Sequence, residues 1–299
     1  MRRRLAGWAE SGYVSLVREL LSPSCNAENG ERMSDLLFEK RDGVALLTLN
    51  RPAKKNALTP EMMVRLADAW TEFRDDDALR VAVLTGAGDT FSAGADLGRL
   101  IPLLTRARPP DDEWDRRMLA EPKIFQAAIL RSFELWKPVI AAVNGAALAG
   151  GCEMLQATDL RLAAPEASFG LPEPKRGIVP GGGSLVRLAR QTPYVRAMQI
   201  LLTGDAMPAA TALEVGFVNE IVPRERLLER AFELAARIAE NGPLAVRKIK
   251  EAVIRSQGRP LAEAFAIEDE CTREVMRSQD AREGPRAFME RRKPNFTGR

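Results

Sequence analysis

From residue 36 onward the apolar positions alternate between strand spacing and helix spacing. "LLFEKRDGVALLTLN" has two short alternating stretches around Asp42-Gly43, a pair suited to a tight turn, and predicts two antiparallel strands. "TPEMMVRLADAWTEFRDDD" predicts a helix capped by Thr59 and entered through Pro60, with Met62, Met63, Leu66, Ala69, Trp70 and Phe73 on its apolar stripe. "VAVLTG" and "PVIAAVNG" are continuous apolar runs of the kind buried on both faces of a sheet. "IFQAAILRSFELW" predicts a helix that stops before Pro138, and "CEMLQATDLRLAA" a helix leading into another strand. Residues 100–125, with Pro109-Pro110 and Asp111-Asp112, predict a surface loop with one short helical piece. Helical spacing then dominates over 184–191, 193–202, 208–215, 224–240, 242–256 and 260–278. Strands alternating with helices predict an α/β fold with a helical final third.

Composition narrows the class. At 299 residues, 45% apolar and 28% charged, the chain can bury a substantial core, and no stretch reaches the ~18 continuous apolar residues that span a bilayer. The 44 basic and 41 acidic residues leave a formal charge of +3, too small for the broad positive field of a nucleic-acid binder. Cys25, Cys152 and Cys271 are widely spaced, which argues against a disulfide framework and for a reducing, cytoplasmic setting. The first 33 residues, basic at the start and then rich in Ser, Pro, Asn and Gly, predict a poorly ordered extension, with Met33 as an alternative start.

The chain has no histidine. That removes Ser-His and Cys-His nucleophiles and imidazole metal ligands, and leaves buried carboxylates as the natural acid–base groups. Two small-residue turns are candidates for backbone donors. "TFSAGADL" leaves the N–H of Ala95 open to a cleft, and "ALAGGCE" places Gly150 at a helix start, where amides lack intrahelical partners. Each is equally readable as a plain turn. Glu153 follows in the first helical turn, where a surface glutamate complementing the dipole is the alternative. Glu173, between Pro172 and Pro174, is expected in extended backbone, and its alternative is an ion pair with Lys175 or Arg176. Together the two carboxylates and two donors read as an acid–base pair facing an oxyanion site.

These motifs carry a resemblance. "LNRPAKKNAL", "VLTGAGDTFSAGADL", "KPVIAAVNGAALAGGCE", "FGLPEPKRGIVPGGG", "LLTGDAMPAATALEVGFVNEIVP", "NGPLAVRKIKEAV" and "EGPRAFMERRKPNF", in this order, closely resemble the enoyl-CoA hydratase/isomerase (crotonase) family over about residues 36–299. The resemblance implies a spiral of ββα units over 34–223 and a helical oligomerisation region over 224–299, in homotrimers that often pair into hexamers. It implies an enzyme of lipid metabolism that adds water to a 2-enoyl-CoA thioester without metal or cofactor, CoA being part of the substrate. Its oxyanion amides fall on Ala95 and Gly150, and its two hydratase glutamates on Glu153 and Glu173. Substrate contacts fall on Ala57, Ala93, Asp96 and Leu97, on Gly98 and Gly181, and on Arg291 through the C-terminal segment. An isomerase or a specialised hydroxyacyl-CoA dehydratase is the alternative within the family, and a non-catalytic acyl-CoA- or RNA-binding member the alternative outside that chemistry. The chain departs from the family pattern at Ala149, where glycine is common, at Gly98, where lysine is frequent, at Lys175-Arg176, and at Ser184-Leu185, where Gly-Thr is usual.

Overall fold

The first hairpin sets the edge of the main sheet. Strands β1 (Leu36–Arg41) and β2 (Val44–Leu49) pair antiparallel from Leu36↔Leu49 to Arg41↔Val44, and Asp42 and Gly43 make the turn with φ of 50° and 80°. Two consecutive positive φ values match the right-handed twist of the strands they join. In the computed structural model residues 34–299 are described; the expected extension over 1–33 lies outside them, as does Cys25.

Beyond β2 every addition to this sheet is parallel. β3 (Val81–Gly86), β5 (Val139–Val143), β7 (Leu160–Ala163) and β10 (Glu220–Ile221) follow in the order β1-β2-β3-β5-β7-β10. A second sheet, ordered β4-β6-β8-β9, is built from the short strands β4 (Thr90–Ser92), β6 (Ala146–Leu148), β8 (Ser168–Gly170) and β9 (Met207–Pro208). The pairs β3–β4, β5–β6 and β7–β8 each give one strand to each sheet before the helices that follow, which is the spiral of ββα units. The loops after β4, β6 and β8 meet at one cleft.

Both faces of the first sheet are covered, which explains its continuous apolar runs. Leu47, Leu84 and Ala141 face the helix Pro60–Asp75, whose Met62, Met63, Leu66, Trp70 and Phe73 are fully buried. Val83, Ile140 and Leu162 face the helix Leu227–Ala239 through Ala231, Phe232 and Ala235. That helix, which begins just beyond the expected division at 223/224, covers the second face of the sheet. Helices Pro243–Ser256 and Leu261–Met276 pack mainly on each other, and Asp280–Met289, outside the expected helical spans, follows them. Among the described residues no helix is long and apolar enough to cross a membrane.

Two further expectations fail for local reasons. Residues 100–125 are not a surface loop but hold the helices Leu100–Leu104 and Glu113–Ala120, with Leu100, Leu103 and Met118 buried. Asp112 caps the second helix by accepting from Asp115 N at 2.9 Å, and the buried Asp115 carboxylate pairs with Arg108, which turns the Pro-Pro stretch back on itself. The helix expected over 124–136 ends at Ala128, since Leu130 and Ser132 take φ of 54° and 56°.

The C-terminal tail is clamped to its own chain. Glu283 binds Arg286 and Arg292 and accepts from Asn295 N, Asp280 accepts from Thr297 N and Gly298 N, and Gln279 N donates to Arg299 O at 2.6 Å.

The cap of the helix Pro60–Asp75 is a point of leverage on this core. Thr59 accepts from Met62 N at 3.1 Å while its hydroxyl donates to the buried Asp35 carboxylate. Thr59→Ala is expected to lower unfolding free energy by about 1–2 kcal/mol, the upper range for a lost cap, because Asp35 also loses a donor. Urea denaturation at fixed pH measures it, and an unchanged midpoint would contradict this account of the cap.

Candidate active site

The loop after β4 presents the first donor. Leu58 N donates to Gly94 O at 2.8 Å and Asp96 N to Leu58 O at 2.9 Å, so the bridge between Leu58 and Ala95 leaves the Ala95 N–H pointing elsewhere. Asp96 locks the loop, accepting from Gly98 N at 2.9 Å, Arg99 N at 3.0 Å and Arg51 Nη1 at 3.0 Å. Burial works to raise Asp96, but Arg51 and the amides outweigh it and hold the carboxyl below its ordinary value. Asp96 is thus an ordered loop anchor at the cleft.

The loop after β6 presents the second donor. Ala149 N closes onto Gly170 O at 2.9 Å, and Ala149 itself takes φ 48° and ψ −127°, a conformation that strains a residue with a Cβ. The chain then enters the helix Gly150–Leu155 with the Gly150 N–H unpaired. A methyl group placed on Gly150 would lie 3.9 Å from Ala95 N, so the two turns are neighbours. Neither N–H has an acceptor among the described residues.

Glu153 sits one turn into that helix, buried, and accepts from Gly182 N at 2.6 Å and Ser184 N at 3.4 Å. A Cβ at Gly182 would press on the Glu153 carboxylate and on Ile129 Cδ1, so a larger residue here would push the carboxylate from its place. Arg131 Nη1 holds the same turn by donating to Gly181 O at 2.5 Å. Burial raises the Glu153 pKa, opposed by the Ser184 and Gly182 amides, the Ser184 side chain and the charge of Arg131.

Glu173 is also buried, but Oε2 has no hydrogen-bond partner among the described residues. Burial pushes its carboxyl up to about 7, and the Glu153 carboxylate adds to the rise. Its backbone is not extended as Pro174 led us to expect: Glu173–Arg176 is a 3-10 turn, closed by Lys175 N donating to Pro172 O and by Gly177 at φ 71°. The ion-pair alternative does not form either. Lys175 pairs with Asp205 at 2.6 Å, and Arg176 Nη1 donates to Pro172 O at 3.2 Å.

Ala95, Asp96, Gly150, Glu153, Glu173 and Gly182 line one cleft of about 690 Å³, together with Ala57, Ala93, Leu97, Gly98 and Gly181. Arg291 is exposed at the end of the last helix and does not line it. The sequence reading missed the apolar wall of Ile101, Leu104 and Phe125, hidden in the stretch taken for a loop, with Ile129 just beyond it and Ile178 and Val179 opposite. It also missed the two amides on Glu153; the run Gly181-Gly182-Gly183-Ser184 was the available signal. Lys54 and Arg176 contribute cations to the lining. Among the described residues no group of three or more His, Cys, Asp or Glu side chains is arranged to hold a metal ion. Two buried carboxylates, one supplied with donors and one without, beside two free amides, can move protons around a polarised carbonyl.

Comparisons with known proteins agree with this layout. A family model described as enoyl-CoA hydratase/isomerase matches residues 39–299. The enoyl-CoA hydratase EchA19 of Mycobacterium tuberculosis is 44% identical over 89% of this chain and 97% of its own length. A crotonyl-CoA hydratase of Syntrophomonas wolfei is 38% identical over 88% and 97%. A crystal structure of an enoyl-CoA hydratase from Mycobacterium tuberculosis H37Rv superposes with a TM-score of 0.79 at 40% identity, covering 89% of this chain and 100% of that one.

The electrostatics of Glu173 have a measurable consequence. Its pKa is raised in the folded protein, so the folded state holds this proton more tightly than the unfolded chain does. The ionised carboxylate therefore weakens the fold fully above about 7 and has no effect well below the ordinary value of 4.5. Glu173→Gln is expected to be about 1–3 kcal/mol more stable than the parent at pH 8, with the difference gone at pH 4. Equal urea midpoints for the two proteins at both pH values would contradict the assignment.

Proposed function

The chain belongs to the enoyl-CoA hydratase/isomerase family, and from that membership we propose that its cleft catalyses reversible syn addition of water across the 2,3 double bond of an enoyl-CoA thioester. The observation that carries the reading is the pair of buried, differently supported carboxylates facing two unpaired amides. Binding the thioester oxygen to the Ala95 and Gly150 amides draws electron density from the double bond and stabilises the enolate that forms. Glu153, supplied with donors, is the easier of the two to ionise and takes a proton from water as its oxygen bonds to the β carbon. Glu173, whose burial keeps its proton to about pH 7, delivers that proton to the α carbon. In the reverse direction the two exchange roles. No metal or redox step is needed, since no electrons leave the substrate.

Both glutamates in place favour hydration over double-bond isomerisation, which shuttles one proton and needs no water activated. Assembly into trimers is part of this reading, supported by the exposed apolar Tyr194, Val195 and Leu202 on one helix. In such an assembly the exposed Arg291, on a tail held against its own chain, would meet CoA bound to a neighbouring protomer.

Loss of the conjugated-thioester absorbance of crotonyl-CoA tests the activity, followed by longer, branched and ring-bearing enoyl-CoAs. Persistent absorbance with tight CoA binding would instead mark a non-catalytic binder. Glu153→Gln and Glu173→Gln are each expected to keep CoA binding and lose hydration by at least ~10²-fold. Near-parental rates in either variant would exclude the two-glutamate mechanism. For the parent, kcat/KM for hydration should fall as pH rises through about 7, where Glu173 loses its proton, and fall in acid as Glu153 gains one. A rate that keeps climbing to pH 9 would remove Glu173 from the acid role.

A further inference from the structure

A buried polar chain lies against Glu153, and none of its members lines the cleft. Ser184 is fully buried and Gln156 nearly so. Gln156 Nε2 donates to Ser184 Oγ at 2.8 Å and to Cys152 O at 3.3 Å. A carbonyl oxygen can only accept, so the amide must turn its NH2 to this side, and both hydrogens are then committed. Ser184 Oγ therefore accepts from Gln156 and keeps its own proton to place. The main-chain N–H of the same residue donates to the Glu153 carboxylate at 3.4 Å, which brings that acceptor to this end of Ser184. Gln156 is held in turn: its main-chain oxygen accepts from Gln191 Nε2 at 2.8 Å, and Gln191 Oε1 accepts from Arg161 Nη2 at 2.8 Å.

We propose that Ser184 is a positioning residue for Glu153: its hydroxyl, oriented by the Gln156 amide, donates a third hydrogen bond to the carboxylate beyond those of the Gly182 and Ser184 amides. Its functional meaning rests on the reading of Glu153 as the base. A carboxylate that takes a proton from water must be ionised beforehand and aimed, and three donors do both where burial works against ionisation. The Ser184 side chain is accordingly among the groups that lower Glu153 against burial. The charges facing Glu153 from its surroundings are Arg131, Arg187 on the helix that Ser184 begins, and Glu173. Cys152, next in sequence, is pushed up to about 12 by burial and stays neutral.

The test uses the full-length protein, its glutamates labelled with ¹³C at the carboxyl and the Glu153 signal assigned by its loss in Glu153→Gln. In Ser184→Ala, without substrate, the Glu153 titration midpoint is expected to rise by about one pH unit, as removal of one donor to a carboxylate implies. With the best enoyl-CoA, kcat on the acid side of the optimum should fall about tenfold while KM stays within about twofold. Ser184→Thr, which keeps the hydroxyl, should restore both. An unchanged midpoint overturns the proposal, and so does a kcat loss that Ser184→Thr shares in full while the midpoint stays put, since that is the mark of packing. A parent protein that hydrates no enoyl-CoA would sink the hydration reading alone, because the midpoint still decides whether Ser184 supports Glu153.

Discussion

The structure turns on one short contact, the 2.6 Å hydrogen bond from the Gly182 amide to the buried Glu153 carboxylate. A carboxylate taken out of water loses hydration that must be replaced by donors, or it takes up a proton and becomes inert as a base. Much around it is arranged to deliver that amide. The glycine run lets the backbone approach where any Cβ would collide with Oε2. Arg131 holds the carbonyl of Gly181, and Arg187 reaches from the next helix to Leu130 O at 2.6 Å, so the turns on both sides of the carboxylate are pinned by guanidinium groups. The early end of the helix Lys123–Ala128 follows from the same demand, because the left-handed Leu130 frees its carbonyl for Arg187.

Asymmetry between the two glutamates comes from their supports and not from their burial, which is nearly equal at 5% and 8% exposure. Glu153 is ringed by donors; Glu173 has one oxygen with none. Burial raises both carboxyls, but the donors on Glu153 oppose the rise and Glu173 lacks them on one oxygen, so the two hold their protons to different extents, a division of labour suited to a site without histidine. Glu173 is also where the fold stores an electrostatic strain that a purely structural residue would not keep, as its raised pKa records.

Much of this was legible in the sequence because it rests on local chemistry. Asp42-Gly43 specifies its hairpin, Thr59-Pro60 starts its helix, and both free amides lie in small-residue turns. What was not legible depends on contacts between distant segments. The helices within 100–125 are tied together by the Arg108–Asp115 pair, and the end of the next helix by the Trp70 indole, which donates to Ala128 O at 3.2 Å. The 3-10 turn at Glu173 overrides the extended preference before Pro174 because the helix Tyr194–Thr203 packs on it and Gly177 closes it. Amphipathic spacing likewise announces the helix Leu227–Ala239 but not which surface its apolar face covers.

Chemistry and selectivity consequently reside on different parts of the chain. Every group proposed to touch the reacting atoms follows a short strand of the second sheet: Ala95 and Glu173 on the turns after β4 and β8, Gly150 and Glu153 in the helix after β6. The apolar wall comes mostly from the segment between β4 and β5, with Ile178 and Val179 opposite, and of these Ile178 also braces the Glu173 turn, its N–H donating to Glu173 O at 3.2 Å. The wall can therefore change shape without disturbing the Gly182–Glu153 contact, provided Ile129 still seats against Gly182. Ile129 is the one wall residue that meets that glycine, so it is where a change made for a new acyl group would first be felt by the base.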